Sequence, residues 1–290
     1  MPRAHANDIE IEYETFGNLE DPPLLLVMGL GSQMISWDEE FCEGLVDRGF
    51  AVIRYDNRDV GLSTKIDADI DVVETAMAAF AGGKVEAPYL LSDMAGDAIS
   101  VLDDLDIERA HIVGASMGGM IAQTIAIEHP ERVWSLTSIM STTGDADVGQ
   151  PNPEVLPLLL QAPPADRAGA VASSVAASKA IGSPEHFDEE RVRARAERSY
   201  DRSFYPKGTG QQLVAILASG SRTEALRKVE ANTLVIHGDV DPLVNVSGGE
   251  RTAEAVDGAE LLILEGMGHD LPVNYWSSVI EAITALAARS

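Results

Sequence analysis

The chain has one cysteine, Cys42, so it can form no internal disulfide and offers no cysteine cluster for zinc. Cys42 stands among acidic residues in Glu39-Glu40-Phe41-Cys42-Glu43, which disfavours a thiolate, and it is read as structural. Cations are scarce. Lys and Arg number 21 against 47 Asp and Glu, a formal net charge of −26, and the only lysines are Lys65, Lys84, Lys179, Lys207 and Lys228. Such a surface repels nucleic acid and anionic membranes at long range, so neither is expected as a partner. No apolar run approaches the roughly 18 residues of a membrane span, so no stable membrane insertion is expected. Residues 1–8 lack the apolar core of a signal peptide, and a cytoplasmic location is the expectation. The glycines at 114, 118 and 119 do not have the Gly-x-Gly-x-x-Gly spacing, which argues against a nicotinamide cofactor. No His-x-x-x-His pair is present either, and neither cofactor nor metal is expected.

What is present suffices for a sizeable core: 290 residues with 45% hydrophobic content. Residues 9–15 alternate apolar and polar, as an edge strand does. The runs at 24–28, 50–55, 110–114 and 133–140 read as buried strands, and helical spacing covers 34–48, 91–105 and 117–129. This strand–helix alternation predicts a mostly parallel central sheet flanked by helices. After Ser141 the pattern changes to a Gly- and Pro-rich stretch, then to helical segments near 166–180, 188–200 and 209–229, with no strand before about 232. Strands and helices resume at 233–237, 248–256, 260–264 and 273–288. The expected organisation is therefore an α/β core from residues 1–140 and 232–290, with 141–231 inserted as a helical cap.

The most informative segment is Gly114-Ala115-Ser116-Met117-Gly118, directly after the apolar run at 110–113. A strand, a tight turn with small residues on both sides, and a helix would lift the Ser116 hydroxyl above the sheet. Ligand sites in such sheets lie beyond the carboxyl ends of the strands. Asp239 and Asp241 follow the 233–237 strand, and His269 follows the 260–264 strand. The order serine, acid, histidine suits nucleophilic acyl transfer, with either aspartate able to serve as the acid. The Met117 N–H, at the start of a helix after the nucleophile, is the natural first donor to an oxyanion.

With these motifs the whole chain resembles the α/β-hydrolase superfamily. It is most similar to bacterial esterase-like members, including methylesterases of the aclacinomycin type. Val-Met-Gly-Leu-Gly at 27–31, Arg-Tyr-Asp-Asn-Arg-Asp at 54–59, Gly-Ala-Ser-Met-Gly-Gly-Met at 114–120, His-Gly-Asp-Val-Asp-Pro-Leu-Val at 237–244 and Gly-Met-Gly-His-Asp at 266–270 carry the resemblance. It implies a catalytic Ser116, Asp241 and His269, with Asp241 favoured over Asp239, and Leu30 N–H as second oxyanion donor beside Met117. Similar enzymes often carry His-Gly where this chain has Met28-Gly29. The backbone donor survives that change, and what braces its loop is left open. Met28, Gly29, Met34 and Met140 are candidate substrate contacts, since methionine fills irregular apolar space. Asp56, Arg58 and Asp59 are expected to tie loops together, His237 to buttress the acid loop, and His111 and His129 to be structural.

The expected reaction is hydrolysis of a small to medium, fairly apolar carboxylic ester through an acyl-enzyme. The same three residues would serve a carbon–carbon bond hydrolase of vinylogous diketones or a cofactor-free haloperoxidase-like perhydrolase. A noncatalytic ligand-binding module would be expected to have lost one of the three. Specificity is expected to come from 141–231 and from 71–90, where 78–83 has the composition of a mobile stretch. The sequence carries no sign of an oligomeric interface.

Overall fold

Continuous apolar runs become strands buried on both faces, and the alternation within each run assigns its side chains to two cores. In the computed structural model, which describes all residues except 1, 7, 81, 82, 84, 160–163 and 165, Leu24 and Leu26 face one core while Leu25 and Val27 face the other. Burying each such side chain contributes about 1.5–3 kcal/mol. The strands are β1 (Arg3–Ala6), β2 (Ile9–Phe16), β3 (Pro23–Val27), β4 (Ala51–Tyr55), β5 (Ala110–Ala115), β6 (Val133–Ile139), β7 (Asn232–Gly238) and β8 (Glu260–Leu264). They form one sheet in the order β1-β2-β4-β3-β5-β6-β7-β8. β1, β2 and β4 pair antiparallel, and every pairing from β4 to β8 is parallel.

The helices are α1 (Glu39–Val46), α2 (Val72–Phe80), α3 (Leu91–Asp104), α4 (Met117–Glu128), α5 (Leu156–Leu159), α6 (Arg167–Ile181), α7 (Glu189–Arg202), α8 (Pro206–Ser219), α9 (Thr223–Leu226), α10 (Ser247–Ala255) and α11 (Val273–Ala287). Helices α3, α4 and α10 cover one face of the sheet, and α1 and α11 the other. Helices α5 to α9 lie between β6 and β7 with no strand among the described residues, so the expected fold class, a mostly parallel sheet with a helical insertion, is realised.

Three expectations change. Residues 9–15 do not form the edge, because β1 pairs outside β2; its buried faces are only Ala4 and Ala6, too small to stand out as a hydrophobic pattern. The stretch 34–48 is not one helix. A 3-10 turn at Met34–Ser36 is followed by extended Trp37, whose carbonyl accepts from the Arg54 guanidinium and so leaves the helical ladder. The segment 209–229 divides at Gly220, whose φ of +65° ends α8. The stretch 78–83 includes Ala81 and Gly82, which lie outside the described residues.

One buried ion pair ties α3 to the loop after β4. Arg58 Nε and Nη2 meet Asp97 Oδ2 and Oδ1 at 2.7 and 2.8 Å, and Asp97 is 1% exposed. Removing one partner strands the other in a dry site. Asp97→Ala is accordingly expected to lower the unfolding free energy by about 3–5 kcal/mol, read as a lower midpoint in urea titration.

Candidate active site

Ser116 joins β5 to α4 with φ 56° and ψ −122°, a backbone region that costs a non-glycine residue about 1–3 kcal/mol. Hydrogen bonds over-determine it. Its N–H donates to Ile139 O at 2.9 Å, and its carbonyl accepts from Gly119 N–H at 2.9 Å and Ser141 Oγ at 2.8 Å. Close packing explains the flanking glycines. A Cβ on Gly114 would sit 2.0 Å from Gly118 O, and one on Gly118 would sit 2.1 Å from Val27 O.

The elbow delivers the hydroxyl to a histidine. His269 Nε2 lies 2.9 Å from Ser116 Oγ, and His269 Nδ1 lies 2.7 Å from Asp241 Oδ2. Three loops, after β5, β7 and β8, thus bring the three sequence candidates together. Asp241 is the aspartate that meets the histidine. Asp239 instead accepts the Gly266 N–H at 2.7 Å, the loop-satisfying part expected of it. Burial alone would push the Asp241 carboxyl up. The His269 charge, the nearby His237 ring, the His269 hydrogen bond and the Val244 N–H outweigh it and hold the carboxyl at about 2. An ionised carboxylate only accepts, so His269 Nδ1 carries the proton and Nε2 presents its lone pair to the serine.

The acid loop is fixed from beneath. Asp241 Oδ1 accepts from Leu243 and Val244 N–H, each at 2.9 Å. His237, fully buried, directs Nε2 at Val244 O (2.8 Å) and lies 3.6 Å from Asp241 Oδ2, beyond a formed hydrogen bond but close enough to orient its dipole on the carboxylate. A Cβ on Gly249 would meet His237 Nδ1 at 2.5 Å, so the ring occupies the space that a side chain at 249 would need. His111 is on the incoming strand, bonded to Ser135 Oγ at 2.8 Å, with burial pushing it down to about 4.

The two backbone N–H groups expected as oxyanion donors belong to the two segments packed together at the elbow. Met117 opens α4 and has no intrahelical acceptor. Among the described residues neither its N–H nor that of Leu30 donates within the chain. The loop after β3 lies against the nucleophile: a Cβ on Gly29 would be 3.0 Å from Ser116 Cβ. Asn57 Nδ2 holds Met28 O at 2.9 Å, and Asp56 Oδ1 holds Met34 N–H at 2.8 Å. Arg202, at the end of α7, bonds Asp56 Oδ2 at 2.6 Å and Gln33 Oε1 at 2.8 Å. Asp59 accepts from Tyr89 and Gln211, so this segment does tie loops together. Of the candidate substrate contacts, Met28 is half-buried, Gly29 abuts Ser116, and Met34 and Met140 are buried.

The insertion also grips the histidine loop. His269 N–H donates to Ile181 O at 2.7 Å, Gly268 N–H to Ser183 Oγ at 3.0 Å, and Ser183 N–H and Oγ to Asp270 Oδ1 at 2.9 and 2.5 Å. Ser183 belongs to no motif, and Asp270 only closes Gly-Met-Gly-His-Asp at 266–270, with no role expected of it. The adjacency of Asp270 to His269 was the only signal available.

A family model described as alpha/beta hydrolase fold matches residues 22–273. The rhodomycin D methylesterase of Streptomyces peucetius is 29% identical over 301 residues, covering 96% of this chain and 95% of the relative. The 2-hydroxymuconate semialdehyde hydrolase of Pseudomonas sp. strain CF600 is 30% identical over 194 residues, 63% of this chain and 64% of the relative. The crystal structure of the enol-lactonase from Burkholderia xenovorans LB400 superposes with a TM-score of 0.78 at 22% identity, covering 99% of this chain and 100% of that one.

The depressed Asp241 carboxyl has a consequence for stability. An acid held at about 2 in the folded state, against an ordinary 3.8, stabilises fully above its ordinary value. That contribution, roughly 2 kcal/mol, fades as pH falls towards 2. The gap in unfolding free energy between wild type and Asp241→Asn is expected to narrow between pH 5 and pH 3, measured by urea titration at each pH.

Proposed function

The chain belongs to the alpha/beta hydrolase fold family and is an enzyme of that fold, and from this premise we propose that it is a serine hydrolase of small to medium apolar acyl compounds. The observation that carries the reading is the unbroken contact chain Ser116–His269–Asp241 at 2.9 and 2.7 Å, on a strained elbow beside two undonated backbone N–H groups. Ser116 Oγ attacks the substrate carbonyl carbon while His269 Nε2 takes its proton. Asp241 keeps the imidazole in the required tautomer and stabilises the imidazolium. Leu30 and Met117 N–H receive the developing oxyanion. The tetrahedral intermediate collapses, His269 returns the proton to the leaving group, and water then hydrolyses the acyl-enzyme with His269 again as base. Met28, Gly29, Met34 and Met140 are the proposed substrate contacts, Met34 and Met140 among them being buried.

The same attack serves two scissile bonds. Ester cleavage expels an alcohol, and the full-length similarity to a methylesterase supports it. Cleavage of the carbon–carbon bond of a vinylogous diketone, in its keto form, expels an enolate whose carbon takes the proton from His269, and the similarity to a 2-hydroxymuconate semialdehyde hydrolase supports that. The comparisons lean further towards carbon–carbon cleavage than the sequence motifs do. Nothing in the Ser116, His269 and Asp241 geometry demands an oxygen leaving group, so this second reading stands beside the first.

The test is turnover of p-nitrophenyl esters from acetate to palmitate, run beside a 2-hydroxy-6-oxodienoate whose colour fades on cleavage. Ser116→Ala is the control. Whichever substrate is used, the control should lose at least about 10³-fold in kcat. Dienoate turnover without ester turnover assigns the carbon–carbon bond, and the reverse assigns the ester. Folded wild-type protein inert towards both series, or a Ser116→Ala variant as active as wild type, would sink the serine hydrolase proposal.

A further inference from the structure

We propose that Gln212, supplied by the helical insertion, is the positioning residue of the oxyanion loop. The loop that follows Met28-Gly29 is braced by the insertion. Gln212 is fully buried on α8, and its Oε1 accepts the Gly31 N–H at 2.8 Å. Its Nε2 donates to Arg58 O at 2.7 Å. One partner is a donor and the other an acceptor, so the amide has a single satisfied orientation.

The geometry of the turn gives this contact its effect. Gly29 O accepts the Ser32 N–H at 3.2 Å, closing a four-residue turn over 29–32. In a trans peptide the carbonyl and N–H point in opposite directions. The Gly29–Ser32 bond therefore aims the Leu30 N–H away from the turn. The next peptide, between Leu30 and Gly31, is the one such turns flip most readily, because glycine tolerates either sign of φ. Gly31 has φ +67°, and a Cβ there would come 2.7 Å from Thr209 Oγ1, one turn before Gln212 on the same helix. Asn57 and Asp56 hold Met28 and Met34, the two ends of the loop. Among the described residues, Gln212 is the side chain from outside the loop that bonds its central peptide; the loop's own Ser32 Oγ meets the carbonyl of that peptide, Leu30 O, at a long 3.5 Å. Without Gln212 the fold keeps its anchors, while the peptide beside the Leu30 donor is left with that long contact and turns more easily.

The inference rests on the serine hydrolase reading and is tested with the substrate that wild type turns over. Gln212→Met removes both hydrogen bonds at similar volume. Its kcat should fall about 10–100-fold with KM within about threefold, a fraction of the effect of losing an oxyanion donor outright. Affinity for a substrate-matched trifluoromethyl ketone, which adds to the serine and places an oxyanion on the donors, should fall by the same factor. Gln212→Glu keeps the acceptor for Gly31 and, while protonated, a donor for Arg58 O. It should recover part of the kcat and add to the pH profile a descending limb that wild type lacks. Should Gln212→Met fail to fold, the pH profile of Gln212→Glu carries the test, and a profile and kcat matching wild type overturn the brace. A folded Gln212→Met with unchanged kcat and ketone affinity, or with a change in KM alone, also overturns it. Those outcomes, in a wild type that turns over, leave the serine hydrolase reading intact. Wild-type protein with no turnover and no ketone binding overturns both.

Discussion

A serine backbone in the left-handed region is the constraint on which the rest of the site depends. Held at φ 56° and ψ −122°, Ser116 stores about 1–3 kcal/mol that relaxation would release. The bonds to Ile139, Gly119 and Ser141 prevent that relaxation. Those bonds require β5, β6 and α4 to approach as closely as they do, and the approach requires glycine at 114 and 118. The same crowding brings Gly29 against the serine, so the loop carrying the proposed Leu30 donor and the turn carrying the proposed nucleophile are packed as one unit.

The proposed reacting groups come from core loops, yet much of what fixes them comes from the insertion. The 181–183 segment grips Gly268, His269 and Asp270, Arg202 grips Asp56, and Gln212 grips Gly31. Where the bonded group is buried and has no second partner, losing such a contact costs about 1–3 kcal/mol. The insertion therefore contacts both the histidine loop and the loop after β3, and disturbing it would disturb both.

What was legible in the sequence is what is local. Ser116 sits in a pentapeptide whose steric need for small residues can be written down without a structure. Asp241 and His269 fall at strand ends, where an α/β sheet puts its ligands. The runs at 24–28 and 110–114 announced strands because burial on both faces removes polar alternation. What was missed acts across distance. Ser183 reaches Asp270 over 87 residues and Gln212 reaches Gly31 over 181, and neither pair leaves a spacing to read. Likewise β1 hides behind two alanines, and the break at Trp37 is met by Arg54, a residue of another element. Gly220 was visible as a residue; its left-handed conformation was not.

The proposed mechanism requires Ser116 to become covalently acylated. Intact-protein mass spectrometry of acid-quenched enzyme, sampled within the first turnovers of an activated ester or dienoate, detects that intermediate. A mass gain equal to the acyl group is expected, mapped by peptide sequencing to Ser116 and longer-lived in His269→Ala protein acylated by a reactive substrate. Product formation at full rate with no serine-bound acyl group, or with the adduct on another residue, would contradict it.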